Sequence, residues 1–443
     1  MKLQARLAAA LALAIGAGPV LAEHPDSITV LLKPGGSMAS MRATAGLEST
    51  QVFQPMAKAS SLEEAQAMAR HRLDRYVTLP TASLTDHEVD LTLQRLRANG
   101  QVEAIYEEPH AEPAYFQSAM SNTPDYLGRQ HYLGSPISAD RDFKVGGVNA
   151  QSVWALPGGD GSKARIISVE IGRWAYDHED LPAPFLEHWD VQAHATDSHD
   201  TASVGSMVGK HNGFGVTGIA YGSVIGYSKY GAGDQLVDLA KHLKAGDVIQ
   251  LGVHYKYAKG SPLDNAIGCG DGCYMPVEYF RPVFDAISYL TEEKGVHVVI
   301  AAANGNVNLD HPYFGDTFKR NVRDSGAIYA GAINPRTGMR AGFSEYGSRV
   351  DTYAWGGDVT TTSWSLASPT NLYTHHFNGT SSANPIIAAS AAVVQSMAFA
   401  RGMGAIPPKT LRRWLVESGN TPPVTDPGKP IGVQPDLLRV SFQ

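Results

Sequence analysis

The sequence predicts an α/β protein: a parallel sheet with helices on both faces, preceded by a small α+β module. Three observations predict it. From about residue 150, apolar strand-like runs alternate with helical ones: ARIISVE, HDTASVGSMVGK, GIAYGSVIGYSKY, DQLVDLAKHLKAG, DVIQLGV, VFDAISYLTEEKG, VHVVIAAAN, SGAIYAGAI and VDTYAWGG. Strands joined by crossover helices give that alternation. Ahead of it, two capped helices and two strand-like runs make a smaller unit. Between the two, HAEPAYFQSAMSNTPDYLGRQ loses periodicity and gathers Pro, Ser and Asn, as an exposed linker does.

The chain opens with MKLQARLAAALALAIGAGPVLAEHP, in which Lys2 and Arg6 precede a short apolar stretch ending at Val20, Leu21 and Ala22. This is a secretory signal with a cut after Ala22, without a stop-transfer flank, so the mature protein is expected to be exported, to a periplasm or beyond the cell, and not held in a membrane. SITVLLKPG then alternates like a half-buried strand, and Ser61 with Glu64 has the spacing of a capping box. Thr85 with Glu88 repeats that spacing before a helix closing on Asn99 and Gly100, and QVEAIYEEP reads as a strand. The expected divisions are 1–22 signal peptide, 23–117 small module and 118–443 main domain.

HHFNGTSSANPIIAASAAVVQSMAFA, residues 375–400, is too interrupted by Asn384, Pro385, Ser390, Gln395 and Ser396 to cross a bilayer. It reads as a buried helix starting near Ser381, with Pro385 in its first turn. The formal net charge is −7 and the pI about 6.1. No sustained basic run is present, which excludes nucleic acid and anionic membrane as expected partners. Cys269 and Cys273 are the only cysteines. In an exported chain they are expected to close a small disulfide loop, since a zinc site needs more ligands than this pair supplies.

Three polar groups stand where the strands end or helices begin: Glu170 at the end of ARIISVE, His199 at the head of HDTASVGSMVG, and Ser381. Together they are the acid, base and nucleophile of acyl transfer. A hydroxyl attacks only when a base accepts its proton, and an imidazole base needs a carboxylate to fix its tautomer and stabilise its cation. Each residue alone has a plainer reading: a solvated strand end, a surface histidine, a helix cap. Asp177 and Asp180 are weaker candidates for orienting His199.

NGTSSANP fits G-T-S-x-A-x-P, the serine motif of the subtilisin-like serine peptidases, and the chain from roughly 118 to 443 resembles that family. HDTASVG with GFGVTGIAYGS resembles its histidine helix and following strand, with Asp200 where Gly is usual. EIGRWAYDHEDL resembles its aspartate motif, with Glu170 in place of Asp. FSEYGSRVDTYAWGG and IGVQPDLLRV resemble the segments before the serine motif and at the domain's end. The resemblance implies a three-layer, parallel-sheet catalytic domain. It also implies a peptidase in which Ser381 is the nucleophile, Ser382 its neighbour, His199 the base and Glu170 the group that orients it. If Asp200 faces the imidazole, it raises that pKa.

Family members place an oxyanion-holding Asn after a strand reading A-A-G-N. Counting along VHVVIAAANGN puts Asn304 there, with Ala303 for Gly. Asn306 matches only the Gly-Asn pair and otherwise suits a turn. DVIQLG resembles the strand that pairs with extended substrate. The resemblance makes residues 23–117 a propeptide, cut somewhere within Tyr115 to Ser118; a permanent accessory domain is the alternative. Expected partners are protein or peptide substrates and the chain's own propeptide. No cofactor is required, and although calcium is frequent in the family, no oxygen-ligand loop can be assembled here. The alternative from another class is an inactive relative that binds peptides without cutting them, suggested by Glu170, Asp200 and Ala303.

Overall fold

The strand Arg165–Glu170 is buried from Ile166 onward, as a strand covered on both faces by helices must be. It lies within a seven-stranded sheet ordered Thr352–Trp355, Ile328–Ile333, His297–Ala301, Val248–Leu251, Arg165–Glu170, Val224–Lys229 and Glu187–His188. Every neighbouring pair is parallel. Leu251 sits between Val169 and Ile300, so Glu170, Gly252 and the residues after Ala301 emerge together at the carboxyl end, where open parallel sheets place their sites. The computed structural model describes residues 25–38, 53–109, 111–113, 120–121, 123–189 and 196–442. The expected signal peptide, the boundary between 117 and 118 and the expected cut lie outside the described residues.

Thr380–Ala400 is a helix of 21 residues whose first 19 are buried. It packs across the central strands and against the histidine helix, Ser198–Val208. Among the described residues it is the one helix long and apolar enough to cross a membrane, yet 89% of its apolar window lies inside the protein. Its start corrects the expected register: the helix begins at Thr380, so Pro385 falls in its second turn. There the missing N–H deprives the Ser381 carbonyl, four residues earlier, of its helical partner.

Four strands of the smaller module form an antiparallel sheet ordered Gln54–Pro55, Tyr76–Pro80, Ser27–Leu32 and Val102–Glu108. Ile28, Val30, Leu79, Val89, Leu93 and Leu96 give it a core of its own. The Thr85–Glu88 box is complete. At Ser61 only half of it forms: Ser61 accepts from the Glu64 N–H at 3.1 Å, while the Glu64 carboxylate turns back to the Ser60 N–H and hydroxyl, at 2.7 and 2.6 Å.

This module docks on helices Ala232–Leu239 and Arg281–Glu292. Arg70 forks onto Glu293 at 2.9 and 2.5 Å, and Arg72 and the Tyr76 hydroxyl both reach Asp285 Oδ2, at 2.8 and 2.6 Å. The exposed Arg70 fork contributes little; the sheltered Asp285 contacts hold the joint.

Several short strands had no counterpart in the sequence reading, and three of them make a sheet of their own. Val359–Ser365 and Ser368–Phe377 form an antiparallel hairpin, to which Met120–Ser121 adds a third strand. The hairpin's Thr361 and Thr362 hydroxyls donate to the Ala202 and Thr201 carbonyls of the histidine helix, at 2.7 and 2.6 Å. Cys269 and Cys273 are joined by a disulfide with their Cα atoms 4.8 Å apart.

Candidate active site

His199 enters the first turn of its helix because Asp197 caps it, the Asp197 carboxylate accepting the His199 backbone N–H. The imidazole is fully buried, with its edge against the Phe377 ring at 5.7 Å between centroids. Two carboxylates approach its Nδ1. Asp200 Oδ1 lies at 2.8 Å and Glu170 Oε2 at 3.8 Å, both side chains buried. Of the two orientations open to Asp200 in the sequence, toward the imidazole or toward solvent, the first is the one adopted. Burial pulls the imidazole down, but the charges of Glu170 and then Asp200 outweigh it and push the group up to about 9. Burial likewise pushes Glu170 up, to about 8, against the attraction of His199.

Glu170 is held from its other oxygen. Ser168 donates to Gln250 Oε1 at 2.8 Å, and Gln250 Nε2 donates both to Glu170 Oε1 at 2.7 Å and to Asn384 Oδ1 at 2.8 Å. The carboxylate on one strand is thus tied through its neighbour to the helix bearing Ser381. Gly252 completes the fit. A Cβ there would stand 2.1 Å from Glu170 Oε1, so the longer acid needs a glycine opposite. On its other side the Gly252 carbonyl accepts from the Ser381 hydroxyl at 3.4 Å, a long bond.

Gly379, with φ +87°, brings the chain round so that Thr380, Ser381 and Ser382 form the first turn of the buried helix. Ser382 is occupied structurally, its hydroxyl donating to the Trp355 carbonyl at 2.8 Å. Asn304 Oδ1 accepts from both the N–H and the hydroxyl of Thr380, each at 2.9 Å. With that oxygen engaged, Nδ2 is the donor end of the amide. Asn306 has φ +56° and gives its N–H to the Phe343 carbonyl at 2.7 Å, the geometry of a turn residue.

Glu345 was not singled out in the sequence. It is a buried carboxylate accepting from the Gly305 N–H at 3.0 and 2.8 Å. It clamps the turn after Asn304; burial pushes its carboxyl well above the ordinary range. Nothing in its sequence context marks it except an acid within a mostly apolar and small-residue stretch. Asp180 is engaged elsewhere, accepting from Asn212 Nδ2 and the Val216 N–H, and Asp177 is exposed.

Strand pairing near the site falls one step later than expected. Val248–Leu251 lies inside the main sheet, and the next strand, Val253–Lys256, pairs antiparallel with Tyr274–Pro276 on one side and with Ala111–Pro113 on the other. Pro113 stands opposite Val253, the residue after Gly252.

Among the described residues, two groups bring three ligand-type side chains within 4.8 Å: Glu170, His199 and Asp200, and separately His188, Asp238 and His242. Both include imidazole, which suits zinc or copper rather than calcium.

Residues 185–430 match the subtilase family, peptidase S8. The chain is 28% identical over 356 residues to an extracellular basic protease of Dichelobacter nodosus, covering 72% of this chain and 54% of that protein. It is 22% identical over 414 residues to an extracellular protease of Xanthomonas campestris pv. campestris, covering 85% and 64%. The chain thus spans less than two thirds of both curated relatives. In fold it is similar to fervidolysin from Fervidobacterium pennivorans, a keratinolytic enzyme related to subtilisin, with a TM-score of 0.60, 15% identity, and coverage of 95% of this chain and 62% of that one. It is also similar to a protease of Pseudoalteromonas arctica, with a TM-score of 0.52, 20% identity, and coverage of 72% and 98%. The family match takes in the histidine helix, the Asn304 turn and the Ser381 motif, and by it the chain belongs to the subtilase family.

Proposed function

We propose that the chain is an exported serine endopeptidase made as a zymogen, in which Ser381 attacks a peptide carbonyl and forms an acyl-enzyme. His199 takes the serine proton and returns it to the leaving amine. The Glu170 and Asp200 carboxylates stabilise the imidazolium, and Asn304 Nδ2 with the Ser381 N–H meets the oxyanion. The names of both curated relatives, extracellular proteases, support export and proteolysis.

One observation carries the zymogen reading. Ala111–Pro113 lies as an added strand on Val253–Lys256, with Pro113 nearest Gly252, whose carbonyl meets the Ser381 hydroxyl. Main-chain pairing of an extended segment is how a sheet edge grips a peptide. The module's own C-terminal segment occupies such an edge and runs toward the nucleophile, so residues 23–117 act as an inhibitory propeptide.

The test is to express the chain from residue 23 beside a Ser381→Ala copy, and follow both by gel, intact mass and a fluorophosphonate probe. Loss of a fragment of roughly a hundred residues and labelling, in the wild type alone, is the expected result. Two folded, whole and unlabelled proteins would make this an inactive peptide binder.

A further inference from the structure

Two buried carboxylates flank one imidazole N–H, and a single proton can be given to only one of them. Asp200 Oδ1 is at 2.8 Å, within the range of a charge-assisted hydrogen bond, and Glu170 Oε2 at 3.8 Å is beyond it. We propose that Asp200, the residue directly after His199, is the positioning residue that holds the His199 Nδ1–H, while Glu170 is a second carboxyl held beside the pair without bonding to it. The inference rests on the serine-peptidase reading for its catalytic meaning, though not for the contact.

The surroundings favour this division. Asp200 Oδ1 has the imidazole as its hydrogen-bond partner, which compensates its charge directly, although burial pushes this carboxyl up as well. Glu170 accepts from Gln250 through Oε1, and its Oε2 has no hydrogen-bond partner among the described residues. Asp200 Oδ2 is bare too, so each carboxylate leaves one oxygen unpaired in a dry site, and what separates them is that only Asp200 bonds the imidazole. The other titratable groups facing the ring are Asp197 from the same helix, adding negative charge, and His254 from Val253–Lys256, which burial pulls down to about 3 and so keeps neutral. An ionised Glu170 adds a further negative charge to the imidazole's neighbourhood and strengthens its hold on its proton. Glu170 tunes the base; Asp200 aims it.

The experiment uses the chain from residue 23 with ¹⁵N-labelled histidine on a Ser381→Ala background, observing the downfield Nδ1–H resonance of His199. It is expected to persist in Glu170→Gln and to move far upfield or vanish in Asp200→Asn. Loss in Glu170→Gln would overturn the proposal, and this arm decides the matter even if Asp200→Asn does not fold. On the active chain, Asp200→Asn should lower kcat by about 100-fold or more with little change in KM. Glu170→Gln should cost less than about tenfold and move the rising limb of the pH profile about one pH unit lower. The reverse ranking overturns the proposal. A wild type that neither takes up fluorophosphonate nor cuts peptides defeats the peptidase reading, and the resonance still decides which carboxylate holds the proton.

Discussion

Asn304 and Thr380 are joined twice, the one amide oxygen accepting both the backbone N–H and the hydroxyl of the residue before the nucleophile. This fixes the amide face that would meet the oxyanion and couples the end of a central strand to the Ser381 turn. Asn304→Ala removes both the donor and the brace. A loss of about 10²–10³ in kcat with KM nearly unchanged is expected from steady-state peptide hydrolysis. Asn306→Gly, at a position of φ +56°, should stay within a few-fold of wild type; a large loss there would move the oxyanion role to Asn306.

Gly252 has no room for a methyl group, since its Cβ would lie 2.1 Å from Glu170 Oε1 and 2.5 Å from Gln250 Nε2. Gly252→Ala is expected to destabilise the fold by about 1–3 kcal/mol in denaturant melts, as overpacking does. Pairing it with Glu170→Asp, which withdraws the carboxylate by one methylene, should restore most of that loss. Additive effects of the two changes would contradict the contact.

The base is held protonated by its acidic neighbours, at about 9. Only the unprotonated imidazole can accept the Ser381 proton, so activity below that value should rise about tenfold per pH unit and level off above it. Measuring kcat/KM of the processed enzyme from pH 6 to 10 checks this. A plateau already reached at pH 7 would show that the two carboxylates do not act on the imidazole as described.

Glu108, at the end of the module, accepts from Ser27 at 2.7 Å and from Tyr255 of the strand Val253–Lys256 at 3.1 Å. Burial at the joint pushes it up to about 7 from a free value of 4.5. A docked group that binds its proton more tightly than the free one favours docking at low pH, and that advantage is lost as pH rises from 4.5 through about 7. After processing, the module should therefore leave about tenfold or more readily at pH 8 than at pH 4.5. Dissociation followed by size exclusion should show the dependence, and Glu108→Gln should flatten it.

What the sequence made legible was carried by short-range chemistry. Thr85 and Glu88 announced a helix start that forms as written, and ARIISVE, a buried strand ending in an acid, placed Glu170 at the carboxyl edge of the sheet. What was not legible depends on rotamers or on distant partners. Successive helical residues normally diverge, so nothing in the dipeptide His199-Asp200 showed that the second side chain would turn onto the first. Thr360, Thr361 and Thr362 carry hydroxyls that gave no apolar alternation, and their strand is held where it is because the Thr361 and Thr362 hydroxyls meet carbonyls of the histidine helix. Glu345 became recognisable only once the Gly305 turn was folded over it.

Ala111–Pro113 is fastened to Val253–Lys256, and Met120–Ser121 to Leu372 and Tyr373. Both anchors of the intervening stretch are therefore on the same body that carries Ser381, and a chain this short reaches no further than about 3.3–3.6 Å per residue. On the propeptide reading, the bond to be cut within it is present at one copy per nucleophile at any dilution. Maturation would then be a first-order clock running inside each molecule, with a half-time set by the fold rather than by how crowded the compartment is.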